Sequence, residues 1–223
     1  MPNSNDDAMN KEWEAILSGK GKDNLADVLE RGWDELVKRD PGEVAEYGLV
    51  EFDKETESYN LPFMNETFLV NKKTREIKPK DPSSKTYVSS FLATLLVHYL
   101  ASVKNLEVEN KPISFREVPG GGDVYYPAFQ NNAIRPIMER FGENPEELIP
   151  AGERLGGKPI DKGDAAVEIP VFPKIPVTVI VWAGDEEIPA NATILFDVTA
   201  KEQIHIEDLA VIGGVVAGKL IKF

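Results

Sequence analysis

The spacing of apolar residues changes several times along the chain, and each change predicts an element. Residues 1–9 read as a polar tail, followed by a short helix over 11–17 with Trp13, Ile16 and Leu17 on one side. Asp23 then stands where an N-cap belongs. Leu25, Val28, Leu29, Leu36 and Val37 keep helical spacing after it, with Trp33 at the edge of the stripe. Pro41-Gly42 marks the end of that helix. Over 49–80 the period shortens. Leu61-Pro62-Phe63-Met64, Glu66-Thr67-Phe68-Leu69-Val70 and Glu76-Ile77-Lys78 predict a small antiparallel meander.

Asp81-Pro82-Ser83-Ser84 opens the clearest helix of the chain. Its stripe of Val88, Phe91, Leu92, Leu95, Leu96, Tyr99, Leu100 and Val103 is wide enough to face several neighbours. Residues 112–118 predict a strand closed by Pro119 and the glycines 120–122. A helix over 125–141 should bend near Pro136, which has no N–H to donate. Asn144-Pro145-Glu146-Glu147 has the order of a capping box and a further helix follows it to Leu155. Pro170, Pro173 and Pro176 recur with the polyproline II period and lead into a strand over 177–182. Both faces of that strand are apolar, which predicts a central position with cover on both sides, in part from the 84–103 helix. Residues 193–198 are its expected antiparallel partner. The last helix starts near Glu207 and contains Gly213, Gly214 and Gly218, a spacing that lets helices approach closely.

Helices and strands come in runs rather than in βαβ alternation. The expected fold class is therefore α+β, a mainly antiparallel sheet packed by a long central helix and a C-terminal helix. Residues 1–20 form the tail and short helix, and 21–223 one domain. With 223 residues and 42% hydrophobic content the chain can bury a real core. The formal net charge of −13 argues against nucleic-acid partners and against anionic membrane surfaces. The absence of cysteine removes disulfides, thiolate metal sites and any self-held iron–sulfur cluster. No apolar run reaches the length of a membrane span and the amino terminus lacks the apolar core of a signal peptide, so a cytoplasmic protein is expected.

Candidate chemistry gathers at two strand ends. Gly120-Gly121-Gly122 follows a strand, but Asp123 stands where a phosphate loop would carry Lys and Ser or Thr. Beside it, Arg116 has the fork to clamp a carboxylate, and Tyr125 and Tyr126 offer stacking faces or hydroxyl donors. The plainer alternative pairs Arg116 with a nearby acid. In the second group Trp182 precedes the acidic loop Gly184-Asp185-Glu186-Glu187. Asp164, Asp185, Glu186 and Asp197 suit acid–base work or a hard cation, whereas such loop acids are more often merely solvated. The two histidines, His98 and His205, show no H-x-x-x-H spacing and read as packing residues rather than metal ligands. The candidate ligand-binding set is thus Arg116, Asp123, Tyr125, Tyr126, Trp182, Asp185 and Glu186, provided that both loops line one cleft.

The runs LLVHYL (95–100), PISFREVPGGGDVYYPAF (112–129), IPVFPKIPV (169–177), VIVWAGDEEIPANATILFD (179–197) and IEDLAVI (206–212) resemble the family known as domain of unknown function 3786. The resemblance covers roughly residues 30–223. It implies no established activity and no named cofactor, and it carries an association with anaerobes that use corrinoid and one-carbon chemistry. Some members resemble fusions to a four-cysteine iron–sulfur segment. This chain lacks that segment, so any cluster would belong to a protein partner, an iron–sulfur or corrinoid protein. The expected function is an accessory or cofactor-binding domain. The alternatives are a protein–protein interaction domain and an acidic-site, metal-dependent enzyme.

Overall fold

The computed structural model describes residues 25–120 and 122–222. The expected helix over 11–17 and the Asp23 cap lie outside the described residues. The first described helix, α1 (Leu25–Lys38), buries Leu25, Val28, Gly32, Trp33 and Leu36. Trp33 is therefore a core residue, not an edge residue, and it is Val37 that is exposed. Pro41 does not simply end this helix. Asp40 accepts a hydrogen bond from the Glu43 N–H, and Pro41 takes the first position of a new helix, α2 (Pro41–Gly48).

The meander is a four-stranded antiparallel sheet in the order β1 (Glu51–Asp53), β2 (Ser58–Phe63), β3 (Glu66–Asn71) and β4 (Glu76–Pro79). The long helix, α3 (Ser90–Ser102), begins later than expected. Ser89, not the Asp81–Ser84 stretch, caps it by accepting from the Leu92 N–H at 3.3 Å. Residues 81–89 become an irregular strap along the surface instead. Every residue of α3 from Ala93 to Leu100 except His98 is buried, as a helix with neighbours all round requires.

A five-stranded antiparallel sheet has the order β5, β9, β8, β7, β6, with β5 (Pro112–Ser114), β6 (Lys158–Pro159), β7 (Ala165–Phe172), β8 (Ile175–Trp182) and β9 (Asn191–Asp197). The apolar run at 177–182 is thus the central strand, with 191–197 beside it. The proline repeat, however, is not polyproline II. Pro170 and Pro176 face each other across the β7–β8 hairpin, which turns at Pro173-Lys174. Their missing N–H groups fall on one rung near the turn, where a bulge already interrupts the ladder.

The helices lying on β8 and β9 also differ from expectation. They come from the stretch between 122 and 141, while the main neighbour of α3 is α1. That stretch is α4 (Gly122–Phe129), a π turn (Gln130–Ile134) and α5 (Arg135–Phe141). The irregularity precedes Pro136, which has no N–H for the carbonyl one turn back. Asn144 makes no side-chain cap, and a 3-10 turn over Pro145–Glu147 leads into α6 (Leu148–Glu153) on β7. A capping box exists elsewhere, at Ser114 and Glu117, where β5 gives way to a 3-10 turn. The chain closes with α7 (Ala200–Gln203) and α8 (Ile206–Leu220).

The two sheets share one core. Phe63 of β2 meets Phe172 of β7 at 5.1 Å between ring centroids, and Tyr99 of α3 stacks on the same Phe172 at 4.4 Å. The Met64 N–H at the tip of the β2–β3 hairpin donates to the Val171 carbonyl at 3.0 Å. The result is an α+β single-domain fold.

Candidate functional site

Arg116 and Asp123 form an ion pair at 2.8 Å with both side chains largely exposed. The guanidinium also lies over the Tyr126 ring, 5.0 Å from its centroid. Tyr125 turns the other way and donates its hydroxyl to Glu207 at the start of α8, at 2.9 Å. The arginine fork and the first tyrosine therefore have partners within the chain. Trp182 ends β8 partly exposed, ahead of a loop that closes on itself. The Asp185 carboxylate accepts from the N–H groups of Glu187 and Ile188 at 2.8 and 2.7 Å. The Ile188 and Glu187 bonds hold its carboxyl below the usual range. Glu186 is exposed beside it.

These two groups do not adjoin. Gly122 at the start of α4 packs under the Phe115 and Arg116 carbonyls, and Gly142, past the end of α5, accepts from the Gly184 N–H at 3.3 Å. The groups thus occupy opposite ends of the helical stretch 122–141, which at about 1.5 Å per residue extends roughly 30 Å.

The remaining sequence-selected acids hold backbone. Asp164 accepts from the Ala183 N–H at 2.7 Å. Asp197 is buried and accepts from the Thr199 hydroxyl and from the N–H groups of Thr199, Lys111 and Glu109. Burial pushes its carboxyl up, but these donors outweigh burial and leave it below the usual range. Among the described residues, no three His, Asp or Glu side chains gather in a group able to hold a metal ion.

The histidines are brought together although the sequence offers no spacing that links them. The rings of His98 and His205 lie 5.8 Å apart, edge to face. His98 Nδ1 is 2.8 Å from the buried Asp208 carboxylate of α8. Burial alone would lower the His98 pKa, yet the Asp208 bond and charge and a bond to the Val28 carbonyl raise it. His98 thus ties α3 to the buried Asp208 of α8 and packs against α1 at Gly32. Gly32 makes the approach possible, because a Cβ there would stand 2.7 Å from His98 Cδ2.

The concave apolar surface lies elsewhere. A groove of about 630 Å³ runs between the outer face of α8, the start of α3 and the β2–β3 hairpin. Phe91, Leu92 and Val215 expose apolar surface to it over the buried Phe63, Leu155 and Val211, and Tyr87 of the strap, 85% exposed, stands at its rim. The strap is pinned from below: Glu66 of β3 accepts from the Ser84 hydroxyl at 2.7 Å and from the Thr86 hydroxyl at 2.8 Å. On α8 the residues facing the groove are Val211, Gly214, Val215 and Gly218, then Lys219 and, just past the helix, Lys222. That spacing of three and four is the one signal the sequence held for this site; the glycines in it suggested a helix contact instead. Gly213 does serve such a contact, with Phe129 of α4 filling the space of its absent side chain, whereas a Cβ on Gly218 would meet nothing within 4 Å.

Among the described residues no helix is long and apolar enough to cross a membrane. Neither the curated proteins nor the solved structures contain a match to this chain. The family model described as "Domain of unknown function (DUF3786)" matches residues 40–219. That span runs from the cap of α2 nearly to the end of α8, taking in both sheets and the groove, and the chain belongs to this family.

Proposed function

We propose that the domain is a small-molecule-binding accessory module whose ligand lies in the groove between α8 and the β2–β3 hairpin. The supporting observation is the groove itself, a concave apolar surface of about 630 Å³ on a chain of net charge −13. Its volume falls within the roughly 300–1,000 Å³ common for ligand pockets. A ligand with a broad apolar face suits it. The family resemblance adds corrinoid and one-carbon metabolism in the cytoplasm of anaerobes as the setting, with an iron–sulfur or corrinoid protein as partner. Corrinoids, haem and flavins are accordingly the first compounds to try. An interaction domain without a ligand, or an acidic-site enzyme, has no comparable feature behind it, since Asp164, Asp185 and Asp197 are occupied by backbone N–H groups.

The test is a thermal-shift and absorbance titration of wild type and Gly218→Trp. A true ligand at about 100 times its Kd should raise Tm by roughly 5 °C or more. Gly218→Trp should fold and lose the shift, because the indole enters open groove space. If no compound of the panel, nor a general apolar dye such as anilinonaphthalene sulfonate, binds wild type, the proposal falls.

A further inference from the structure

Resting on that reading of the groove, we infer that its ligand is an amphipathic carboxylate, with an acyl or aromatic body on the apolar surface and its anionic head at Lys219 and Lys222. The groove-facing side of α8 changes character along its length. Val211 and Val215 come first, Gly218 opens the space beside them, and the two lysines follow at the far end. Apolar surface and positive charge are therefore ordered along one line, as a molecule with an apolar body and one charged end requires.

The charge there is also available. Lys219 is half-buried and Lys222 exposed, and among the described residues neither has a carboxylate within ion-pair distance. Glu66 is the acid that lines the groove, and both its oxygens already accept from strap hydroxyls. Some lysines elsewhere take carboxylate partners, as Lys158 does with Glu168 at 3.0 Å and Lys104 with Glu202 at 2.9 Å, while others, such as Lys80 and Lys85, have none among the described residues. The helix dipole favours cations in the last turn of α8. That accounts for where along the helix the charge sits, but not for its sharing a face with the apolar surface. Lysine stems lying along that surface would keep the ammonium groups at its end.

Isothermal titration with dodecanoate and naphthylacetate, each against its neutral amide, tests the assignment. Wild type should bind at least one of the carboxylates about tenfold or more tighter than the matching amide. Lys219→Glu/Lys222→Glu should remove that preference and leave amide binding unchanged. Lys80→Glu/Lys85→Glu makes the same change in charge on the neighbouring polar cavity and should keep the preference. Equal binding of acid and amide by wild type, or equal loss in both double variants, overturns the assignment of the head group. Binding that survives Gly218→Trp overturns the groove reading itself, so the two failures are distinct.

Discussion

At the scale of single residues the most consequential contact is between His98 and Asp208. Asp208 is 1% exposed and sits in the first turn of α8, where a carboxylate is also favoured by the helix dipole. Asn in its place would remove the buried carboxylate that His98 Nδ1 meets at 2.8 Å. Asp208→Asn should therefore lower stability by about 1–3 kcal/mol, measured by urea denaturation. The His98 pKa is raised in the folded state. The folded protein holds that proton more tightly than the unfolded chain. The stabilisation is thus complete below the unfolded value, about 6.5, and fades as pH rises through the folded value. Urea midpoints of wild type and His98→Gln should accordingly converge as pH rises from 6 to 9, while a gap independent of pH would show that His98 does not titrate in this way. Glu35, Glu207, Arg31 and His205 face the same small cavity, so the convergence is read as a difference from the variant rather than from wild type alone. None of this was legible in the sequence, because His98 and Asp208 stand 110 residues apart and each has an ordinary local explanation.

At the scale of elements, two glycines of α8 have opposite surroundings. Gly213 admits the Phe129 ring, whereas Gly218 faces open space. Gly213→Ala should destabilise by about 1–3 kcal/mol through overpacking despite the better helix propensity of alanine. Gly218→Ala should instead gain up to about 1 kcal/mol. Guanidinium denaturation of both variants checks the pair, and the same sign in both would refute the packing argument. The elements themselves were partly legible. A continuous apolar run marked β8 because both faces of that central strand are covered, and β9 followed as its expected antiparallel partner. The proline spacing misled because periodicity alone does not distinguish an extended spacer from two strands folded about Pro173-Lys174. The helix start at Asp81 misled for a related reason, since Ser, Asp and Pro favour turns as readily as caps. The groove was out of reach because its walls come from segments near 63–66, 86–92, 155 and 211–222, which only tertiary packing brings together.

At the scale of the whole molecule, the two sheets are joined by Phe63, Tyr99 and Phe172 and by the Met64–Val171 hydrogen bond, not by a linker. Phe172 is 1% exposed and touches both sheets' chemistry at once. Phe172→Ala should cost about 3–5 kcal/mol. Unfolding should remain a single transition, with tryptophan fluorescence and far-ultraviolet circular dichroism coinciding. Separate transitions by the two probes would mean that the sheets are independent units.

The strap beside the groove is fastened mainly by polar bonds. Ser84 and Thr86 hold residues 81–89 to Glu66 through hydroxyl–carboxylate bonds, and Tyr87 projects outward between those anchors and the Ser89 cap. Water can replace such bonds in kind, so Val88, which packs on the core, is the strap's apolar anchor. A segment held in this way can open locally at a small fraction of the free energy that unfolds the core, and its amide protons should exchange well before those of β8.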